Sequence, residues 1–276
     1  MRERTRLPPP RRVDRARRAP VADGRARCRG ETAQRAAPGV AGLSKVVSTS
    51  VARDVNDELA ELPALSGGRL RGLALLPLQH PEEAADELRR AAALGLPGAQ
   101  LLSNAERRPL DGPEYHALFA AAAECDLPLV IHPTLPIDRT AVEGHGLLTT
   151  LGFLFDTTAC AARLVLGGVF DRHPGLKLLL PHAGSTIPYL LGRFEYVLEL
   201  MGVDHGLSGR PSEHLRKLYL DCVCESPRAL RLAVDVYGAE GITYGTDEPF
   251  WSTGRAVNGQ AEVPARGQVK VPAPRG

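Results

Sequence analysis

Apolar runs alternate with helix-like segments along most of the chain, from about Lys45 to Trp251. Each short apolar run is typical of a strand buried on both faces, and each segment between them repeats its apolar residues at helical spacing. Six runs are predicted as strands: GLALLPL (72–78), GAQLL (98–102), LPLVIH (127–132), LLLPH (178–182), KLYLDCV (217–223) and GITYGTD (241–247). KVVSTSV (45–51) is a candidate seventh strand. The pattern predicts a parallel α/β sheet.

Local signals mark where several helices begin and end. Pro81 with two following acids opens a helix that closes near Gly95, because proline suits the first turn and acids suit the helix N-terminus. Ser226 and Pro227 begin another helix, which Gly238 ends.

Chemically active side chains follow four of the predicted strands. His132, His182, Asp221 and Asp247 stand at or just after strand ends. In a parallel barrel these ends meet on one face, so residues distant in sequence share a pocket. Two imidazoles and a carboxylate suit a divalent cation such as Zn²⁺. Either histidine taken alone would more often be a hydrogen-bonded structural residue, but the repeated position favours a joint site.

Several motifs resemble, in order, those of the amidohydrolase superfamily, in its branch of aminocarboxymuconate-semialdehyde decarboxylase and related non-oxidative decarboxylases. The blocks are NDELAEL (56–62), RPLDGPEYHALFAAAAE (108–124), LVIHPTLP (129–136), LLLPHAGSTIPYLLGRFE (178–195), LYLDCVCESPRAL (218–230) and ITYGTDEPF (242–250). The resemblance implies a (β/α)8 TIM-barrel fold and one divalent metal, with Zn²⁺ expected.

By matching motifs, the resemblance implies that His132 and Asp247 are metal ligands and that His182 is the catalytic acid or base, with Asp247 also part of the catalytic group. Pro133 and Phe250 would shape the substrate pocket. The implied enzyme is a carboxy-lyase that decarboxylates a small carboxylic acid. A hydrolase remains open, because metal-activated water can also attack a carbonyl group. The resemblance favours decarboxylation.

One part of the family pattern is missing. The family's first strand carries a His-x-His pair, whereas this chain has none and its first histidine is His80. The sequence therefore predicts a barrel that is incomplete at its N-terminus, lacking its first one or two βα units. Two ligands hold zinc less well than four. A catalytically silent fragment that acts only as a binding or assembly partner is the alternative from another functional class.

Composition divides the chain into three parts. Residues 1–44 form an Arg-rich head predicted to be disordered, 45–251 the barrel domain and 252–276 an irregular tail. The head holds twelve Arg against four acidic residues, a net +8, so the rest of the chain carries −6 of the overall +2. The head lacks aromatic residues for base stacking, so no nucleic-acid partner is expected.

The same composition bears on location and partners. We find no run of about 18 consecutive apolar residues and no apolar segment after the basic start, so neither a membrane partner nor a secretory signal is expected. Five irregularly spaced cysteines suit the cytoplasm. The expected partners are a small-molecule carboxylate substrate and a second copy in a homodimer, the commonest closed assembly.

Overall fold

The computed structural model describes residues 31–33, 39–224 and 226–247. Parallel strands in these residues follow one another in sequence order. They are β1 (Glu31–Ala33), β2 (Leu70–Gly72), β3 (Ala99–Leu102), β4 (Leu129–His132), β5 (Leu178–Leu180), β6 (Tyr219–Asp221) and β7 (Ile242–Thr243). β1 pairs with β2, and β3 to β7 form a second sheet in that order. The predicted α/β class with parallel strands is confirmed, and the sequential order is that of a (β/α)8 barrel.

Helices connect the strands and cover the sheet. They are α1 (Lys45–Leu65), α2 (Pro81–Ala93), α3 (His116–Glu124), α4 (Phe153–Leu166), α5 (Val169–Arg172), α6 (Pro181–Gly184), α7 (Ile187–Leu200), α8 (Pro211–Leu215) and α9 (Pro227–Tyr237). Helical turns also occur at Pro113–Tyr115, Thr140–Val142, Leu148–Gly152 and Ala239–Gly241. Ser226 caps α9 by accepting a hydrogen bond from the Ala229 N–H, as the sequence predicted.

One apolar core joins the strands to these helices. Leu101, Leu129, Ile131, Leu178 and Leu220 are fully buried strand residues. They pack in a single cluster with side chains from α2, α3 and α4. Since such burial stabilises by about 25 cal/mol per Å² of apolar surface, the short strands are held by packing as well as by their hydrogen bonds.

The prediction of a strand at residues 45–51 is wrong, because this segment is the first part of α1. Its β-branched residues favour a strand only weakly, and tertiary contacts override that preference. Ser48, Ala52 and Asn56, at intervals of four residues, form the buried face of the helix. Val46 on the opposite side is 80% exposed.

The predicted strand at 72–78 is only partly present. β2 ends at Gly72, and beyond it only Ala74 makes a bridge, with Ala99 of β3. Leu75, the next residue, explains why the strand pairing ends on the edge of this segment that faces α1. The Leu75 N–H donates to Asn56 Oδ1 at 2.8 Å, and its carbonyl accepts from Asn56 Nδ2 at 3.0 Å. A helix side chain therefore satisfies backbone groups that would otherwise pair with a neighbouring strand.

The predicted head and tail lie mostly outside the described residues. The interpretation of residues 1–44 as disordered is wrong at Glu31–Ala33, which forms β1 beside β2. Backbone pairing needs no apolar pattern, so a strand as short as β1 leaves no signal in the pattern of hydrophobic residues. The predicted absence of the first βα units and the predicted irregular tail at 252–276 stay predictions.

One helical stretch in the described residues is long and apolar enough to span a membrane by length and composition. It runs from Leu148 to Leu166, has a mean hydropathy of 1.2 and is half buried inside the fold. Core helices of folded domains share these properties, and α4 contributes Ala161, Leu164 and Val165 to the apolar core.

Candidate active site at the carboxyl ends of the strands

The four polar residues predicted at strand ends lie on neighbouring elements. His132 ends β4, His182 follows β5, Asp221 ends β6, and Asp247 comes four residues after β7. Nε2 of His182 lies 3.9 Å from Oδ2 of Asp247. The negative charge of Asp247 raises the pKa of His132, and the positive charge of His182 lowers it. The structure thus brings these three side chains into one neighbourhood, while their catalytic roles stay predictions.

His182 sits in a left-handed turn that non-glycine residues rarely adopt. Its φ is 57°, and that of Ala183 is 52°. Oδ1 of Asp221 holds this turn by accepting the N–H of Ala183 at 3.1 Å and that of Val223 at 3.0 Å. The carboxylate therefore joins the end of β6 to the turn that carries the imidazole, which offsets the cost of the backbone conformation.

Two pairs of hydroxyl groups fix the other side of the same turn. Thr157 Oγ1 lies 2.8 Å from Ser185 Oγ, and Thr158 Oγ1 lies 2.8 Å from Thr186 Oγ1. The Thr186 N–H also donates to Thr158 Oγ1. Sequence reasoning missed this contact. The available signal was a Thr-Thr pair on the buried side of an otherwise apolar helix.

Hydrogen bonding determines which nitrogen of His132 carries a proton. Nδ1 lies 2.7 Å from the carbonyl oxygen of the buried Pro133, and a carbonyl can only accept, so Nδ1 is the donor. Burial lowers the pKa of His132, which favours the neutral ring. Nε2 is then the nitrogen with a free lone pair, which is the atom a metal ion or a donor group would use.

The carboxyl group of Asp221 has a pKa above the ordinary value for an aspartate. Burial raises its pKa to about 6, while the nearby His182 and the two backbone N–H donors act against that rise. Asp247 adds to the rise through like-charge repulsion. The group is therefore poised between its two protonation states close to neutral pH.

A further buried pair fixes the loop after β4. Asp156, on α4, accepts from Asn104 Nδ2 at 2.9 Å and from the Ile137 N–H at 3.2 Å. Asn104 Nδ2 also donates to the carbonyl oxygen of Leu135. This network holds the segment that follows His132 and Pro133, and neither Asn104 nor Asp156 was recognised from the sequence.

The described residues supply part of the ligand set that the predicted metal site needs. Within residues 31–33, 39–224 and 226–247, no three His, Cys, Asp or Glu side chains form a group that could hold a metal ion. His132 and Asp247 alone do not fit a complete site. Phe250, predicted to shape the pocket, lies outside the described residues.

Two further polar residues, Arg163 and His214, lie on other helices. Arg163 donates to Asp111 at 2.9 Å on the outer side of α4, in agreement with a solvated helix face. His214 is buried, with 2% of it exposed. It lies on α8 beside Lys217 and Asp171, where packing around the short helix encloses it.

Several known proteins with similar sequences and structures are decarboxylases. A 2-amino-3-carboxymuconate-6-semialdehyde decarboxylase of Dictyostelium discoideum is 31% identical over 222 residues, which cover 76% of this chain and 59% of the relative. The chain therefore spans less than two thirds of that relative's length.

Two crystal structures resemble the fold along most of the chain. One is a 5-carboxyvanillate decarboxylase from Sphingomonas paucimobilis, with a TM-score of 0.78 and 32% identity, covering 84% of this chain and 72% of that one. The other is a dihydroxybenzoic acid decarboxylase from Polaromonas sp. with bound manganese and the inhibitor 2-nitroresorcinol. Its TM-score is 0.74 and its identity 29%, covering 83% of this chain and 74% of that one.

The family comparison covers nearly the whole sequence. The sequence profile described as amidohydrolase matches residues 2–272, including the Arg-rich head and most of the tail. The motif order, the parallel strands and the residues at their carboxyl ends agree with this match. The chain belongs to the amidohydrolase family.

Proposed function

We propose that this protein is a decarboxylase of a small aromatic carboxylic acid and that His182 supplies the proton that replaces CO₂. The observation that carries the proposal is the placement of His182 on a turn held by Asp221, within 3.9 Å of Asp247. The reactions named for the similar proteins support the choice of decarboxylation over hydrolysis.

The chemistry requires a proton donor at the carbon that loses the carboxylate. When the bond between that carbon and CO₂ breaks, its electron pair stays on the ring carbon, which must then take up a proton. A protonated His182 can donate that proton and is left neutral. The carboxylate of Asp247 favours the protonated imidazole before transfer, since an opposite charge nearby stabilises it.

The proposal includes a divalent cation. It is supported by bound manganese in two similar decarboxylase structures, whereas zinc was the expectation from the sequence. We propose Nε2 of His132 and the carboxylate of Asp247 as donors from this chain. Because the described residues do not complete a coordination shell, the proposed proton transfer uses protein side chains alone. Cytoplasmic location and the lack of nucleic-acid and membrane partners stay predictions.

The direct test is CO₂ release from a set of hydroxylated benzoic acids, including 2,6-dihydroxybenzoate and 5-carboxyvanillate, with Mn²⁺ or Zn²⁺ added to the purified full chain. We expect turnover of at least one acid. His182→Asn should lower kcat by about 100-fold or more, the range of general acid catalysis. His205→Asn, a change at a loop histidine, is the matched control and should keep its activity.

Metal binding is measured separately by calorimetry with each ion. His132→Ala should weaken binding, because it removes the proposed Nε2 donor. Well-folded protein that binds neither ion and releases no CO₂ from any of these acids would contradict the proposal and favour the catalytically silent alternative.

A further inference from the structure

A small cavity lies beside β3, between that strand, the segment that follows β2 and the loop that follows β4. Its volume is about 170 Å³, and apolar walls come from Leu76, Leu78, Leu102 and Leu135. At roughly 30 Å³ for each water molecule, the cavity holds about six waters. Pockets for whole drug-sized ligands exceed about 300 Å³, so this cavity suits a single ring or its substituents.

Gln100 lines this cavity with an amide group that lacks a partner. The residue is 4% exposed, and its Nε2 has no hydrogen-bond partner in the part of the chain that the structure describes. Burying an N–H donor without an acceptor costs free energy. The two ends of an amide have nearly the same shape, so a half-turn of the group presents either its oxygen or its NH₂ to the cavity. An oxygen atom of a ligand would therefore satisfy a donor that the protein itself leaves unpaired.

Strand register relates Gln100 to the candidate active site. Leu102 pairs with His132, and Gln100 pairs with Val130. Side chains two residues apart lie on the same face of a strand, so Gln100 and His132 project from one face of the sheet. Gln100 lies one strand away, at about 4.8 Å, and two residues back, at about 6.6 Å. One substituted aromatic ring bound at His132 can span this interval.

A strained turn forms one wall of the cavity. Glu106 and Arg107 both have positive φ, of 52° and 67°. Consecutive residues of this kind favour Asn and Gly, so the turn costs conformational free energy. The Glu106 carboxylate accepts from the Gly42 N–H at 2.6 Å, and Arg107 Nε donates to the Ile137 carbonyl at 3.0 Å. Contacts to two other segments thus hold the wall in place, which preorganises the cavity for a ligand.

The charges around the cavity favour an uncharged substituent. Its charged lining residues, Glu106 and Arg107, are of opposite sign. An anionic group placed among the leucine side chains would lose hydration at a high cost in free energy. A hydroxyl group on an aromatic ring loses less and can accept a hydrogen bond from Gln100.

We propose that this cavity is a subsite for a ring hydroxyl group of the substrate and that Gln100 is a specificity-determining residue that donates a hydrogen bond to it. The inference rests on the proposed function, because it concerns the aromatic acid bound at the same site. Gln100 is then retained at a cost in stability, as residues that serve binding often are. Gln79 lines the same cavity, but its Nε2 donates to the Val40 carbonyl at 2.7 Å, so that amide serves the fold.

Calorimetry with Mn²⁺ present measures the binding of benzoate and its three monohydroxy derivatives to the full chain. The protein carries His182→Asn, so that no acid is consumed during the measurement. We expect at least one hydroxybenzoate to bind about 10-fold more tightly than benzoate. Gln100→Leu should abolish this preference and leave the affinity for benzoate unchanged. Gln79→Leu is the matched control and should keep the preference.

Urea unfolding of the unliganded variants separates a binding role from a structural one. Gln100→Leu should raise the urea concentration at the midpoint of unfolding, because leucine removes a buried amide without a partner. Gln79→Leu should lower the midpoint, because it removes a hydrogen bond that is made. If Gln100→Leu is not folded, the unbranched Gln100→Met takes its place in both experiments.

The inference is overturned by equal affinity for benzoate and every hydroxybenzoate, by a hydroxyl preference that survives in the Gln100 variant, or by folded protein that binds none of these acids. Destabilisation of both Gln100 variants would also overturn it, since the amide would then serve the fold. CO₂ release alongside any of these results leaves the proposed function standing. A hydroxyl preference that depends on Gln100, in a protein that releases no CO₂ from any acid, would do the reverse.

Discussion

The N–H of Ala183 donates a 3.1 Å hydrogen bond to Oδ1 of Asp221, and this bond fixes the turn that presents His182. The same oxygen accepts from Val223, two residues farther along the chain. One carboxylate oxygen thus links the ends of β5 and β6. The position of the proposed proton donor therefore depends on a residue 39 positions away in sequence.

Removing that acceptor should destabilise the protein. Asp221→Ala leaves two backbone N–H groups without their partner, and we expect a loss of about 2 to 4 kcal/mol in the free energy of unfolding. Asp221→Asn keeps an oxygen at this position and should cost less than about 1 kcal/mol. Urea unfolding measures both. Asp235→Ala, on the exposed side of α9, should change stability by no more than about 0.5 kcal/mol. Equal losses for the Ala and Asn variants would contradict the role of the oxygen.

Gly184 is required by both its conformation and its surroundings. Its φ is +82°, and an added Cβ would lie 2.9 Å from Cδ1 and Cδ2 of Leu220. Gly184→Ala should therefore lower the free energy of unfolding by about 2 to 3 kcal/mol.

Gly192 offers a matched comparison within the next helix. No atom lies within 4 Å of a Cβ added there. Gly192→Ala should raise the free energy of unfolding by about 0.5 to 1 kcal/mol, because alanine favours helices more than glycine does. Chemical denaturation of the two variants side by side tests this, and a stable Gly184→Ala variant would contradict the tight contact with Leu220.

Asn56 connects α1 to the segment after β2. Its amide donates to the Leu75 carbonyl and, at 2.7 Å, to Glu87, while its oxygen accepts from the Leu75 N–H. Asn56→Leu should lower the free energy of unfolding by about 3 to 5 kcal/mol, since buried polar groups lose their partners. Glu58→Leu, at an exposed position of the same helix, is the control. Similar thermal unfolding of both variants would show that the buried amide does not hold α1 in place.

His173 should make stability depend on pH. Burial lowers its pKa below the ordinary 6.5, and the neighbouring His116 lowers it further. The unfolded chain therefore binds a proton at a pH where the folded protein does not. The contribution of His173 to the free energy of unfolding is fully present above about pH 6.5. It is lost as the pH drops through and below that value.

Unfolding free energies measured on both sides of this window test the effect. His173→Gln should reduce the loss of stability on acidification. An identical pH profile for His173→Gln and the unmodified protein would contradict a neutral, partly buried His173.

Much of the fold follows from local pattern in the sequence. The apolar runs at β3, β4, β5, β6 and β7 are short and continuous, so their burial between helices could be predicted. Proline and glycine signals marked α2 and α9. The strand ends drew attention to His132, His182 and Asp247 because parallel strands bring their carboxyl ends to one face.

Tertiary structure alone decided the remaining features. Whether residues 45–51 form a strand or a helix depends on Asn56 reaching Leu75, a contact that no short window of sequence contains. The turn at His182 depends on Asp221 and on the hydroxyls of Thr157 and Thr158, which lie 28 to 38 residues from their partners. The periodicity of apolar residues indicates which side of a helix or strand is buried. Which distant polar groups form hydrogen bonds is determined only in the folded chain, because each such contact depends on how all the helices and strands pack together.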